Sequence, residues 1–322
     1  MQIYVKTAVL IAWMIAAYIL LVFAAPHAWQ SVPLAVSLGL AMAAVGFNVQ
    51  HDGGHKAFSD IAWINRLAAM VLDLLGRSSY TWHHKHNTLH HTFVNIGDHD
   101  DDIDLGALAR MAPHQPRRWF HRGQHAYLWP LYGFLAIKWQ WWDDFLMVAR
   151  GRIGSHRMPR PRGADLAIFI GGKTVFVSLA FIVPLFFHPF WNVLLHYVLA
   201  EWVLGLVISV TFQLAHVVEQ AEFPQPVAGT GRLPVPWARH QVLSTVNFAR
   251  RNRAVTWFLG GLNYQVEHHL FPRVCHIHYP QLSRIVERTC RRFELPYRAH
   301  PTLLAGVVSH GRWLRRMGQP GA

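Results

Sequence analysis

Four long apolar stretches constrain this chain more than any other feature. They cover about residues 4–24, 32–48, 166–187 and 191–212 of a 322-residue sequence. Each is near the roughly 20 residues a helix needs to cross a bilayer. A segment in lipid must satisfy its own backbone hydrogen bonds, so each stretch is expected to be helical. The predicted fold is therefore all-α, an integral-membrane bundle of four transmembrane helices. Lys6 lies near the end of its span and can snorkel, while Lys173 sits deeper. Residues 61–75 are shorter and carry Arg66 and Asp73, which suits an interfacial or buried helix rather than a span. Residues 128–148 are rich in Trp, Tyr and Phe around Lys138 and the Asp143-Asp144 pair, a composition for an amphipathic helix in the membrane plane.

Charge gives the orientation. The chain holds 30 Lys and Arg against 17 Asp and Glu, a formal net charge of +13. In a soluble domain this excess would suggest nucleic acid, but its placement argues for topology. One block of cations runs from Lys56 to Arg162 and another from Arg232 to Arg316, whereas the short connections at 25–31 and 188–190 carry none. The positive-inside rule then puts both termini and the two long polar regions in the cytoplasm. Residues 49–164 and 215–322 are expected to pack as one cytoplasmic helical cap, making residues 1–322 a single domain. No nucleic-acid partner is expected. The basic excess suits anionic lipid and acidic partners. The first span has no matched cleavage site and reads as an anchor rather than a removed signal. Turns are expected at Pro26, at the 157–162 run and at Phe223–Pro226, and the last five residues are expected to fray. There is no internal repeat. Cys275 and Cys290 form no C-x-x-C pair and are expected to be reduced thiols without a metal role.

Three histidine clusters carry the chemistry: His51-Asp-Gly-Gly-His55, His86-Asn-Thr-Leu-His90-His91 and Gln265-Val-Glu-His268-His269. Residues three or four apart on a helix share a face, and neutral imidazole is a ready ligand for iron. Seven histidines are too many for one ion and suit two. The glycines between His51 and His55 weaken a helix, so that pair is expected at a frayed helix end. On an α-helix His86 and His90 stack one turn apart and His91 lies about 100° around. His83 and His84 compete as ligands, but read as outer partners or solvent-facing groups. His216, at the end of the fourth span, emerges where the clusters should meet and is counted as a further ligand; a packed core histidine is its bland reading. His196, well inside the span, reads as helix–helix glue.

An amide is a poor iron ligand, so Gln265 is expected to hydrogen-bond a metal-bound water or an imidazole. Asp52, Asn87 and Asp104 are further candidates for that supporting role. Asp104 belongs to the run Asp98-His-Asp-Asp-Asp-Ile-Asp104, which lacks the spacing and glycine of a calcium loop. A plain solvated loop is its other reading.

A histidine-rich two-metal site beside a lipid-facing bundle suits dioxygen activation next to a long acyl chain. An oxidant able to break an unactivated C–H bond has to be shielded from water and held at one carbon. The segments Asn48-Val-Gln-His-Asp-Gly-Gly-His-Lys-Ala-Phe-Ser59, Trp82-His-His-Lys-His-Asn87 and the Gln265 box with its Leu-Phe-Pro tail resemble the membrane fatty acid desaturases, above all the bacterial acyl-lipid or acyl-CoA type. The resemblance covers nearly the whole chain.

It implies four spans, a cytoplasmic di-iron cap and a buried acyl tunnel. Its implied iron ligands are His51, His55, His86, His90, His91, His216, His268 and His269, and its implied co-substrate is dioxygen. The implied reaction removes hydrogens from adjacent methylenes of a fatty acyl-CoA or phospholipid acyl chain, giving an alkene and water. Gln265 in place of a histidine is similar to the front-end desaturases, which act between an existing double bond and the carboxyl end. The sequence holds no His-Pro-Gly-Gly haem motif and no fused b-type cytochrome domain, so a separate donor is expected: a ferredoxin, or a b-type cytochrome with its reductase. The resemblance also places the chain in a bacterial inner membrane. Phe47, Gly46 and Trp141 are offered as tunnel lining.

Two alternatives stay open. A di-iron hydroxylase, ketolase or alkane-type monooxygenase uses similar boxes, and the Gln265 box favours desaturation over it. A membrane metal transporter also uses histidines, but places its ligands near the bilayer midplane.

Overall fold

Every one of the four apolar stretches is a helix long and apolar enough to cross a membrane. A computed structural model describes residues 1–25, 27–227, 233 and 235–321; the turn expected at Pro26 and the terminal Ala322 of the expected frayed end lie outside the described residues. The spans are α1 (Gln2–Phe23), α2 (Ala28–Gly54), α7 (Ala164–Leu185) and α8 (Phe190–His216). Between and after them come α3 (Ala62–Leu74), α4 (79–93), α5 (Gln124–Tyr132) and α6 (135–150). The chain continues with α9 (Trp237–Ser244), α10 (Arg253–Phe258), α11 (Gln265–Leu270), α12 (Tyr279–Arg292) and α13 (Leu303–Met317). Two short strand pairs are the only sheet among the described residues: antiparallel Arg152–Ile153 with His156–Arg157, and parallel Asn247–Phe248 with Ala299–His300.

The fold divides into two compact units. The first comprises residues 1–83, 130–151 and 158–209; the second comprises 84–129, 152–157 and 210–322. Residues 49–83 and 130–151 fall in the first unit together with most of the four spans.

In the first unit the spans hold one another through close backbone approach and isolated polar contacts. Gly39 of α2 sits where a Cβ would fall on the Ala200 carbonyl of α8. The His196 ring lies 2.9 Å from Ser31 Oγ, the helix-to-helix role expected for it. Lys173 is not stranded in its span. Its ammonium donates to the Gly76 carbonyl at 2.6 Å, the Gln140 carbonyl at 2.8 Å and the Asp144 carboxylate at 2.8 Å, so all three N–H groups are used. Large apolar side chains elsewhere on the spans stay exposed, among them Val5, Ile19, Ile170 and Leu195, as lipid-facing positions require.

The expected fraying at His51 does not occur. α2 begins earlier and ends later than 32–48, and residues 46–50 form a π-helical turn before the helix resumes at His51–Gly54. The two glycines are there for close packing. A Cβ on Gly53 would lie 2.6 Å from Ala68 Cβ of α3, and one on Gly54 would collide with the Trp82 ring. Tertiary contact therefore overrides the poor helix propensity of glycine. Gly54→Val should overpack this junction by about 1–3 kcal/mol. A thermal scan of the purified protein should show a midpoint lowered by several degrees; an unchanged midpoint would contradict the packing.

Stretch 61–75 is helical but not among the spans, as expected. Residues 128–148 are helical in pieces, broken at Gly133 and Phe134, and contain a second π segment at Trp139–Asp143. Trp141 is exposed there and its indole donates to Tyr197 Oη at 2.6 Å, whereas Phe47 is buried and Gly46 borders open space.

Candidate metal centre

Histidines of the second unit reach this centre from the later part of α4, the last turns of α8 and α11. α4 supplies the first group. Its residues His83–His90 form a π-helix, not the α-helix expected, and this changes which rings meet. In a π turn the i and i+5 positions are bonded neighbours. His86 and His91, five apart, bring their Nε2 atoms to 3.3 Å. His90 still stacks on His86, with ring centroids 5.2 Å apart. π-helical turns are rare and concentrate at functional sites; here one carries His86 and His90 and leads directly into His91.

α8 supplies His216 at its last turn, and α11 supplies the adjacent His268 and His269. His90, His216 and His269 each place a ring nitrogen within 4.8 Å of the other two, and so do His91, His268 and His269. All six rings of this unit are buried. Five of the six therefore form two overlapping groups with His269 common to both, and His86 lies beside them, stacked on His90 and 3.3 Å from His91 by Nε2. The first unit carries the other box: His51 and His55 are buried, 4.7 Å apart by ring centroid, and both pack edge-on against Trp82.

The outer nitrogens of His90, His216 and His269 each face an acceptor. His90 Nδ1 lies 3.1 Å from Asp100 Oδ1, His269 Nδ1 lies 2.9 Å from Gln241 Oε1, and His216 Nδ1 faces the Ser244 carbonyl at 3.5 Å. A carboxylate and a carbonyl only accept, so Nδ1 carries the hydrogen in His90 and His216 and Nε2 keeps a lone pair. The Nε2 atoms of His90 and His269 are buried and take no hydrogen bond from the protein. Buried lone pairs are costly unless something accepts them. A metal ion does so, and the residues fit one.

Electrostatics point the same way. Burial pushes His269 well below the ordinary imidazole pKa, and His91, His216, His90 and His86 add to the effect, so it is neutral as a ligand must be. For His90, burial is the largest single influence and lowers the pKa, but Asp102 and above all the Asp100 carboxylate together outweigh it and the net shift is upward. That carboxylate favours positive charge at His90, whether a proton or a metal brings it.

The outer residues were only partly foreseeable. Gln265 is wholly buried on α11 and reaches towards His216. Asp52 is buried beside His51, and Asn87 is half-buried on the π segment. Asp104 does not approach the centre: it is exposed and caps its own turn, accepting from the Gly106 N–H at 2.7 Å. The acidic run contributes through Asp100 instead, with Asp102 3.5 Å from His90 Nδ1. The loop geometry decides this, since Asp100 turns inward and accepts from the Asn95 N–H at 2.9 Å.

Asn95 itself, wholly buried with a left-handed φ of 59°, donates to the His216 carbonyl at 2.8 Å and the Ser244 carbonyl at 3.3 Å. It thereby pins the ends of α4, α8 and α9 together. Sequence reasoning missed Asn95, Gln241, Ser244 and Tyr279, whose hydroxyl is 3.2 Å from His268 Nδ1. None lies in a histidine cluster, so the sequence carries no signal for them. His83 is exposed and His84 half-buried, and neither joins a cluster among the described residues. Neither Cys275 nor Cys290 forms a disulfide among the described residues.

Comparison with known proteins agrees with this geometry. The sequence pattern of the fatty acid desaturase family matches residues 27–301. The chain is 37% identical over 316 residues to the sn-1 linoleoyl-lipid 6-desaturase of Arthrospira platensis, covering 98% of this chain and 85% of that protein. It is 38% identical over 319 residues to the sn-1 linoleoyl-lipid 6-desaturase of Synechocystis, covering 98% and 88%. It is 37% identical over 311 residues to the acyl-lipid (8-3)-desaturase of Physcomitrium patens, covering 94% of this chain and 64% of that protein.

Proposed function

The chain belongs to the fatty acid desaturase family, and we propose that it desaturates the acyl chain of a membrane lipid with two histidine-bound irons and dioxygen. It is an oxidoreductase of lipid metabolism in the membrane. The observation that carries the reading is the pair of overlapping histidine groups, His90, His216, His269 and His91, His268, His269, buried together.

In this reading His51, His55 and His86 complete a set of eight ligands, on the strength of the box resemblance. Bound there, iron would supply the reduction of dioxygen that draws two hydrogens from adjacent methylenes. The protein's own part is orientation and exclusion of water. Asp100, Gln241 and the Ser244 carbonyl fix the ring tautomers, and Phe212 packs 5.8 Å from His86 as an apolar wall. The relatives act on lipid-linked acyl groups by name, which favours an acyl-lipid over an acyl-CoA substrate. The Gln265 box and those names together favour insertion on the carboxyl side of an existing double bond. The distribution of Lys and Arg supports a cytoplasmic side for the metal centre; in this reading the membrane is a bacterial inner membrane and the electron donor a ferredoxin or b-type cytochrome.

Lipid profiling of bacterial cells supplied with linoleate tests this. Cells expressing the protein should gain an acyl chain with one more double bond, and cells expressing His268→Ala should not. A hydroxylated chain without the alkene would replace desaturation by hydroxylation.

A further inference from the structure

Arg284, Arg288 and Arg292 recur every fourth residue along α12, and all three are exposed. That spacing sets them one above another on a single helix face. Glu287 does not neutralise them: it is engaged by Arg250 at 3.0 Å and Arg291 at 2.7 Å. Among the described residues no ion pair reaches the other three arginines. The opposite face of the helix is its apolar one, where Val286 and Cys290 pack with Val242 and Val266. The first residue of the same helix, Tyr279, touches the His268 ring. Arg284 lies about 7.5 Å further along the axis, at 1.5 Å per residue. A cationic stripe thus starts within two turns of a side chain in contact with a metal ligand.

The reaction requires a partner. Dioxygen takes four electrons on reduction to two waters. The two C–H bonds that break supply two electrons and two protons; two more electrons and two solvent protons come from outside. Resting on the desaturase reading, we propose that the Arg284–Arg288–Arg292 face of α12 is the docking surface for a small acidic one-electron carrier protein, which visits twice per alkene and is oxidised by one electron each time. Charge complementarity selects this occupant. A lipid surface is the poorer fit, because a helix lying in a membrane presents apolar residues to it. α12 presents mainly arginine, with Ile285 its one large exposed apolar side chain, whereas α13 exposes Leu303, Leu304 and Val308.

The test uses the full chain, iron-loaded in vesicles, with two reductants: a reduced plant-type ferredoxin and dithionite-reduced methyl viologen. In the triple variant Arg284→Glu/Arg288→Glu/Arg292→Glu, the ferredoxin concentration for half-maximal rate should rise at least tenfold, in line with the roughly 10–1000-fold effect of steering charges on association. The salt dependence of that rate should flatten. Iron content and single-turnover alkene yield with methyl viologen should stay within about twofold of the parent. Replacing the three arginines by lysine should preserve ferredoxin saturation, and Arg312→Glu/Arg315→Glu on α13 should leave it unchanged.

An unaltered ferredoxin requirement in the triple variant would overturn the proposal, as would an equal rise in the α13 variant. Loss of the methyl viologen yield as well would assign the stripe to structure or lipid contact, and equally overturn it. Absence of alkene from the parent protein with both reductants would strike the desaturase reading itself, and the docking face with it.

Discussion

His269→Ala should lower alkene formation at least 100-fold and reduce the bound iron of the purified protein. His269 is the ring common to the two buried groups, one with His90 and His216 and the other with His91 and His268. Its removal therefore takes a ligand from the place where the groups overlap. The loss should exceed the ~10–100-fold typical when only an outer hydrogen-bond partner of a ligand is removed. It also strands the Gln241 Oε1 that faces His269 Nδ1 at 2.9 Å. Product analysis together with metal analysis by mass spectrometry gives the answer. A variant with full iron and undiminished alkene would show that the clustering has no role in the chemistry.

Asp100→Ala should weaken iron retention by about 10–100-fold and also lower stability. The carboxylate anchors His90 Nδ1, accepts from the Asn95 N–H at 2.9 Å and accepts from the Asp102 N–H at 3.1 Å. Alanine leaves these donors without that acceptor, at about 1–3 kcal/mol for each that stays buried. The loop returning from α4 should loosen with it, because Asn95 ties that loop to the His216 and Ser244 carbonyls. Asp100→Asn retains a carbonyl acceptor and should fall between parent and alanine variant. Competition with a chelator at fixed pH ranks the three. Equal iron retention in all three would mean that Asp100 does not support His90, and Asp104→Ala, remote from the centre, serves as the control with parental behaviour.

The parts of this molecule that were legible in its sequence are those set by local physics. Spans show because hydrocarbon thickness demands a length and a composition within one segment, so α1, α7 and α8 lie close to their expected limits. Histidine boxes show because ligands cluster along the chain. What the sequence concealed depends on contacts between distant residues. The extension of α2 through Gly53 and Gly54 follows from the fit of Ala68 and Trp82 against bare backbone. The π-helical path of His83–His90 has no compositional signature, yet it brings His86 and His91 to 3.3 Å. Gln241 is 28 residues from the His269 it anchors. Within the acidic run composition did not distinguish Asp100 from Asp104, and only the turn beginning at the left-handed Asn95 makes one an anchor and the other a cap.

The most direct test of the whole account is the iron content of purified, catalytically active protein, measured per chain. About two irons per chain are expected, with alkene yield rising and falling with the metal as it is removed and restored. Undiminished activity in a preparation stripped of iron would contradict it.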